Sequence, residues 1–330
     1  MSFPSLSEIP ASVVERIGGA EVANARLHIE DNRELVLGGR VRICPMRQLR
    51  FAAKIFFMCI GIWWRGRREF RNPVIRENEF AVPGLDPRLN GFTLLHLSDL
   101  HIDLDPAFPA ILRERIASVA GRYDAAVITG DINDLTVHTT EKALREMRDL
   151  LPAFSAPVYI ALGNHDSLRD VQPLEEAGYR VLLNESVLLE KNGATLRLAG
   201  IDDANIFKTH DIEKALEIKD GKSDGSGDPS HIKTILLSHP PAIRHEAAAA
   251  GVDIVLSGHT HGGQICLTKK GMSFLSLFRI FLFKAKTDPA AWRDGWREGN
   301  TQGWTSRGTG AGGVPIRLNC PGELILHTIR

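Results

Sequence analysis

Asp99 and His101 stand one residue apart at the end of an apolar run, 94–103 (LLHLSDLHID), which follows the turn residues Asn90 and Gly91. In extended backbone, residues two apart point to the same side, so a carboxylate and an imidazole reach one point in space. That pairing suits a transition-metal ion. The event recurs downstream. Run 125–134 (AAVITGDIND) ends in Gly130 and Asp131, and run 158–166 (VYIALGNHD) turns at Gly163 to present Asn164, His165 and Asp166. Residues 234–237 lead into Ser238, His239 and two prolines, and 252–256 lead into Gly258, His259, Thr260 and His261. Each piece has a plainer reading alone: a helix cap at Asp131, a histidine settled in a proline turn at His239, surface histidines at 259 and 261. Five such strand ends in succession point instead to one shared site.

The elements that must position these residues are short Val/Ile/Leu runs separated by helix-like segments, which is the pattern of an α/β protein with buried strands. Ligands gather beyond the strand ends of such sheets, so the five turns are expected to converge. Residues 109–119 and 139–151 read as helices, the second stopping before Pro152. Alternation in 180–189 and 195–199 predicts antiparallel strands of a second sheet.

Five blocks, Asp99-Leu100-His101, Gly130-Asp131, Gly163-Asn164-His165-Asp166, Ser238-His239 and Gly258-His259-Thr260-His261, resemble the calcineurin-like metallophosphoesterases over residues 90–330. The resemblance implies a four-layer α/β/β/α sandwich carrying a dinuclear metal centre. It assigns Asp99, His101 and His261 to one metal and Asn164, His239 and His259 to the other, with Asp131 bridging. It places His165 beside the leaving group, oriented by Asp166. Two divalent ions about 3.5–4 Å apart activate a water and clamp the phosphoryl oxygens. Oxygen and imidazole donors without thiolate suit manganese first, with iron or zinc as alternatives.

The rest of the chain sets the frame. With 330 residues, 43% of them hydrophobic, it can bury one large core plus an appendage, and 40 basic against 40 acidic residues give no general attraction to nucleic acid. The four cysteines (44, 59, 266, 320) lack metal or redox spacing and fit a reducing compartment. Residues 1–46 form an N-terminal extension without an assigned role, with a helix expected over 11–23 and a hairpin over 26–37. Segment 47–72 is basic and apolar. Its 14-residue apolar stretch would reach only about 21 Å as a helix, too short for a hydrocarbon core of about 30 Å. Arg47, Arg50, Lys54, Gly61, Arg65 and Arg68 fall on one helical stripe opposite Ile55, Phe56, Cys59, Ile62 and Trp63, as in a helix lying in a membrane interface; a core helix with snorkelling basic heads is the competing reading. Residues 219–230 read as a polar loop. The run 272–283 reads either as a buried element or as an apolar lid beside the metals. Residues 306–313 (SRGTGAGG) read as a glycine turn, with Arg307 as a phosphate contact.

Together these features predict a metallophosphoesterase domain over 90–330 behind an amphipathic membrane-associating extension, placed on the cytoplasmic, inner face of the cell membrane. The substrate expected is a lipid-linked or nucleotide phosphate, with neither nucleic acid nor a protein partner. Within the family the pattern is similar to UDP-2,3-diacylglucosamine pyrophosphatases of lipid A synthesis. A phosphodiesterase for soluble nucleotides and a non-catalytic membrane scaffold are the alternatives.

Overall fold

The computed structural model describes residues 6–36, 46–134, 140–217, 232–268 and 293–330. Two six-stranded mixed sheets form its centre. The first has the order β1 (Val74–Phe80), β12 (Glu323–Ile329), β2 (Phe92–Leu97), β3 (Ala125–Thr129), β4 (Val158–Ala161), β5 (Arg180–Val181). The second runs β10 (Asp294–Glu298), β11 (Thr301–Thr305), β9 (Ile254–Ser257), β8 (Thr234–Leu237), β7 (Ala194–Gly200), β6 (Glu185–Lys191). Strands β2, β3 and β4 are parallel, as are β7, β8, β9 and β11, so within each sheet these strands end at one edge.

Side chains alternate across the sheets as a period of two requires. Leu95, Ala126 and Ile160 face outward onto α5 (Phe108–Ala117), α6 (Glu141–Leu150) and α7 (Val171–Ala177). Leu94, Val127 and Tyr159 face inward to meet Leu198, Ile235 and Leu256 of the second sheet. On the far side, Leu236 and Val255 pack with α8 (Ile212–Leu216) and α9 (Arg244–Ala249). The layers are therefore helices, sheet, sheet, helices. Both faces of the central strands are covered, which is why β3, β4, β8 and β9 are buried at every residue.

Residues 26–36 are helical, not the hairpin expected. Helix α1 (Ala11–Ile17) breaks at Gly18 and Gly19, and α2 (Ala20–Val36) follows. Its buried residues Ala23, Arg26, Leu27 and Glu30 recur at the spacing of a helix face, and this outweighs the local alternation. Arg26 is fully buried. Its guanidinium bonds Asp202 at 2.7 and 3.2 Å, Glu30 at 2.7 Å and the carbonyl of Asp166 at 3.3 Å, and it lies 3.4 Å over the Phe207 ring. Glu30 in turn accepts from Ser167 Oγ and the Leu168 amide. Removing one member of such a network strands a buried charge, so Arg26→Ala is expected to cost about 3–5 kcal/mol. Urea unfolding should show a lower midpoint with unchanged slope; a loss under about 1 kcal/mol would contradict this role for Arg26.

The stretch 180–189 divides between the sheets: β5 closes the first, while β6 pairs antiparallel with β7 in the second. Asn184 makes the crossing. It is buried with φ 54°, and its amide bonds the carbonyls of Ile17 and Thr209 and the amides of Asp202 and Asp211.

The basic, apolar segment is not one continuous helix. Helix α3 (Met46–Cys59) and α4 (Trp63–Phe70) are separated by a turn in which Gly61 has φ 75°. This breaks the expected stripe: Arg50 pairs with Asp134, Arg67 with Asp105, and Arg65 with Glu69 and Asn319. Phe57 and Trp63 anchor the pair on Ile265 and Ile316. Phe51, Ile55, Phe56, Met58, Ile60 and Trp64 remain exposed, Trp64 at 71%. No helix among the described residues is long and apolar enough to cross a membrane. The loop 219–230 and the run 272–283 lie outside the described residues.

Candidate metal centre

Each of the five turns does converge beyond a strand end. β2 delivers Asp99 and His101, β3 Asp131, β4 Asn164 and His165, β8 His239, and β9 His259 and His261. Their backbones interlock: the amide of Asp99 donates to Gly130 O at 2.9 Å, that of His101 to Asp131 O at 3.1 Å and that of Gly258 to His239 O at 2.9 Å. Close approach demands glycine here. A Cβ at Gly163 would lie 2.4 Å from the Asp131 amide, and one at Gly258 would lie 1.7 Å from Ser98 Oγ and 2.5 Å from Asp99 Oδ2. Asp99, His101, Asp131, His259 and His261 all take positive φ, between 39° and 71°. Such backbone costs on the order of 1–3 kcal/mol per residue and collects where function over-determines geometry.

The ligand atoms form two clusters that share Asp131, one of Asp99, His101, Asp131 and His261, the other of Asp131, His239 and His259. Within the first, His261 Nε2 lies 3.3 Å from both His101 Nε2 and Asp99 Oδ1, and His101 Nε2 lies 3.9 Å from Asp131 Oδ2. Within the second, His239 Nε2 is 3.1 Å from Asp131 Oδ2, 3.1 Å from His259 Nδ1 and 3.2 Å from Asn164 Oδ1. Nδ1 of His101 donates to Asn133 O at 2.8 Å and Nδ1 of His239 to Thr129 O at 2.7 Å. These bonds occupy both Nδ1 atoms, so Nε2 of each ring is the atom that aims into its cluster and, once deprotonated, can bind a metal there. Converging lone pairs and carboxylate oxygens repel one another unless a cation lies between them, so the donor set fits divalent metal ions.

The electrostatics of the metal-free protein say the same. Burial works against charge on His239, but Asp131, Asp99 and Asp203 overcome it and hold the imidazole protonated up to about 10. Asp131 is buried too, yet His239 and His165 keep its carboxylate well below the usual range. Burial raises Asp99, helped by the charge of Asp131, and burial with the nearby His101 and Arg317 lowers His261. A proton on His239 thus occupies the place of a metal and must leave when one binds. Below pH 10, uptake is expected to release that proton, and affinity to fall about tenfold per unit of acidification. Titration calorimetry of manganese in two buffers of different ionisation enthalpy measures it; identical heats would contradict the exchange.

One expected contact, Asp166 to the His165 ring, is corrected by the structure, and Arg307 proves to be held by an ion pair. Asp166 does not spend its hydrogen bonds on the His165 ring. Its carboxylate accepts from the amides of Asp131 and Gly163 at 2.8 and 2.7 Å and of Ile132 at 2.8 Å, clamping the two turns together. Burial beside Asp131 pushes its pKa up to about 7. His165 is oriented by the main chain instead, its Nδ1 donating to Asp134 O at 2.9 Å. Arg307, expected at the phosphate, makes a two-pronged ion pair with Asp294 at 3.0 and 2.7 Å, because Asp294 and Glu323 face it across the sheet edge.

Three residues near the site escape sequence reasoning. Asn205 is 2.9 Å from His259 Nε2, and lies beyond the end of β7, the one signal available, since β7 runs parallel to β8. Asp134 holds His165 through its carbonyl, and its carboxylate accepts from Arg50 and from the Gly313 amide. Arg317, fully buried, bonds the carbonyls of Gly310, His261 and Cys320, fastening the glycine turn over the site.

The family model for the calcineurin-like phosphoesterases matches residues 92–263, from the first strand of the site to the loop after its last histidine. The chain belongs to this family. Fold and metal-ligand clusters together make it a metal-dependent phosphoesterase. It is 28% identical over 281 residues to an uncharacterised metallophosphoesterase of Helicobacter pylori, covering 82% of this chain and 67% of that protein. To one from Aquifex aeolicus it is 30% identical over 264 residues, covering 74% of this chain and 87% of that one. It is also 29% identical over 270 residues to a transmembrane protein with metallophosphoesterase domain of Danio rerio, spanning 76% of this chain and 56% of the fish protein.

Proposed function

We propose that this phosphoesterase is a dinuclear-metal phosphodiesterase or pyrophosphatase acting on a lipid-linked phosphate at the inner face of the cell membrane. The observation that carries the reading is the shared Asp131 between two ligand clusters, with the exposed apolar and basic surface of α3 joined to the same site through Arg50 and Asp134. Asp99, His101 and His261 would hold one ion, and Asn164, His239 and His259 the other, with manganese ahead of iron and zinc. When bound, the two ions activate water and neutralise the phosphoryl oxygens.

The chain's own residues do the rest. Asp131 supplies negative charge to both halves, and its Oδ1 takes the His165 amide at 2.8 Å, fixing the turn that carries the imidazole. With Nδ1 given to Asp134 O, His165 exchanges its proton at Nε2, where it serves the departing oxygen as general acid. Phe51, Ile55, Phe56, Met58 and Trp64 offer an apolar face of the kind that lies in a bilayer interface, and the exposed Lys54 and Arg68 an attraction to anionic lipid. The membrane setting of the Danio rerio relative supports the same reading.

UDP-2,3-diacylglucosamine is the specific substrate to test, in detergent, beside bis-p-nitrophenyl phosphate, with manganese restored after chelation. Release of UMP and 2,3-diacylglucosamine 1-phosphate is expected. Hydrolysis of the synthetic diester alone would remove that substrate and keep the phosphodiesterase; hydrolysis of neither would bring the scaffold reading forward.

A further inference from the structure

A cleft of about 530 Å³ runs between α3, α4 and the segment that follows the glycine turn. Phe51, Met58 and Trp64 line one wall, and Val314 and Pro315 the other. Its volume lies in the range of small-molecule sites. Its inner end abuts the metal centre. A Cβ at Gly312 would lie 3.1 Å from His261 Nε2 and 3.4 Å from His101 Nε2, while the next residue, Gly313, lines the cleft and donates its amide to Asp134 Oδ1 at 3.0 Å. Arg50 lines the same end and pairs with the other oxygen of Asp134, whose carbonyl holds His165. Its outer end meets the exposed apolar face of α3, where Ile55, Phe56 and Ile60 continue the surface.

We propose that this cleft receives the hydrocarbon chain of the substrate while the phosphate attached to that chain lies at the metal clusters. The inference rests on the lipid-phosphate reading above and adds where the lipid goes and how it is selected. Three features favour a chain over a nucleobase or peptide. The walls are aliphatic and aromatic, and the backbone donor at the inner end, the Gly313 amide, is already taken by Asp134. Of the three cationic side chains that line it, Arg50 and Arg67 pair with Asp134 and Asp105, while Lys54 is exposed, has no carboxylate partner among the described residues and suits the anionic head. The apolar wall is continuous with an exposed apolar surface, so a chain can pass from a bilayer to the site without crossing water. Each methylene buried in such a cleft is worth about fourfold in binding.

The test uses p-nitrophenyl phosphodiesters of methanol, octanol and dodecanol, kept below their micelle concentrations so that no membrane is present, with the manganese-loaded full chain. In the wild type, kcat/KM is expected to rise at least about tenfold from the methyl to the dodecyl ester, about the gain from burying two methylenes. In Met58→Glu and in Val314→Asp, the ratio of dodecyl to methyl ester rates within each protein is expected to fall towards one. A ratio that survives both substitutions would overturn the cleft as the chain site and leave the lipid reading standing. A wild type indifferent to chain length would overturn both. The wild type gives an independent readout: dodecyl phosphate brominated along its chain is expected to quench tryptophan emission through Trp63 and Trp64, which both line the cleft, and a smaller quenched fraction in Trp64→Phe would assign it there. Absence of quenching in the wild type would overturn the proposal.

Discussion

Asp131→Ala is expected to strip the protein of both metal ions and of hydrolysis together. The carboxylate faces His239 Nε2 at 3.1 Å and His101 Nε2 at 3.9 Å, so each ligand cluster loses the same negative charge. What remains is a set of imidazoles, buried at His101 and His239 and half-buried at His259 and His261, with one carboxylate, Asp99, on the first side and none on the second. Losing even an outer hydrogen-bond partner of a metal ligand costs about 10–100-fold in affinity, and a shared ligand should cost more. The same substitution removes the acceptor for the His165 amide, so the turn that carries the proposed general acid loses its anchor as well. Metal analysis after dialysis, with circular dichroism to confirm the fold, measures the effect. Retention of two ions per chain by the variant would contradict the shared role of Asp131.

His165→Ala should separate chemistry from metal binding. His165 lies beside the first cluster, its ring centroid 5.1 Å from that of His101, and its side chain belongs to neither ligand group. Metal content is therefore expected to match the wild type, while kcat falls by about 10²–10⁴, the range for a lost general acid. The loss should depend on the leaving group. An ester with a good leaving group such as p-nitrophenolate needs little protonation and should lose least, and an alkyl leaving group should lose most. Equal losses on both would show that His165 acts by positioning or charge rather than by proton transfer.

How far the residues alone reveal this site differs from element to element. The five turns were legible because a strand end followed by glycine and a ligand is a local pattern, and parallel strands bring such ends to one edge. The strand-end geometry also carried helices α5 and α6, whose apolar spacing and flanking prolines are local signals. What escaped is non-local. Arg26 reads as a surface cation until Asp202 and Asp166, far along the chain, close around it, and the alternation of residues 26–37 hides a helix whose buried face is decided by those partners. Asp166 looks like the partner of its neighbour His165, but the turn aims it at the amides of Asp131 and Gly163. Arg307 looks available in a glycine-rich turn, and only the pairing of β10 with β11 brings Asp294 to it. The stripe of basic residues over 47–71 fails at Gly61, whose positive φ ends one helix and re-aims the next.

The most direct test of the account is the manganese stoichiometry and the electron paramagnetic resonance of the reconstituted wild type. Two clusters sharing one carboxylate should bind two ions per chain about 3.5–4 Å apart, and at that distance the manganese spins couple into a multiline signal. A single ion per chain, or two giving only the six-line signal of isolated manganese, would contradict a dinuclear centre built on Asp131.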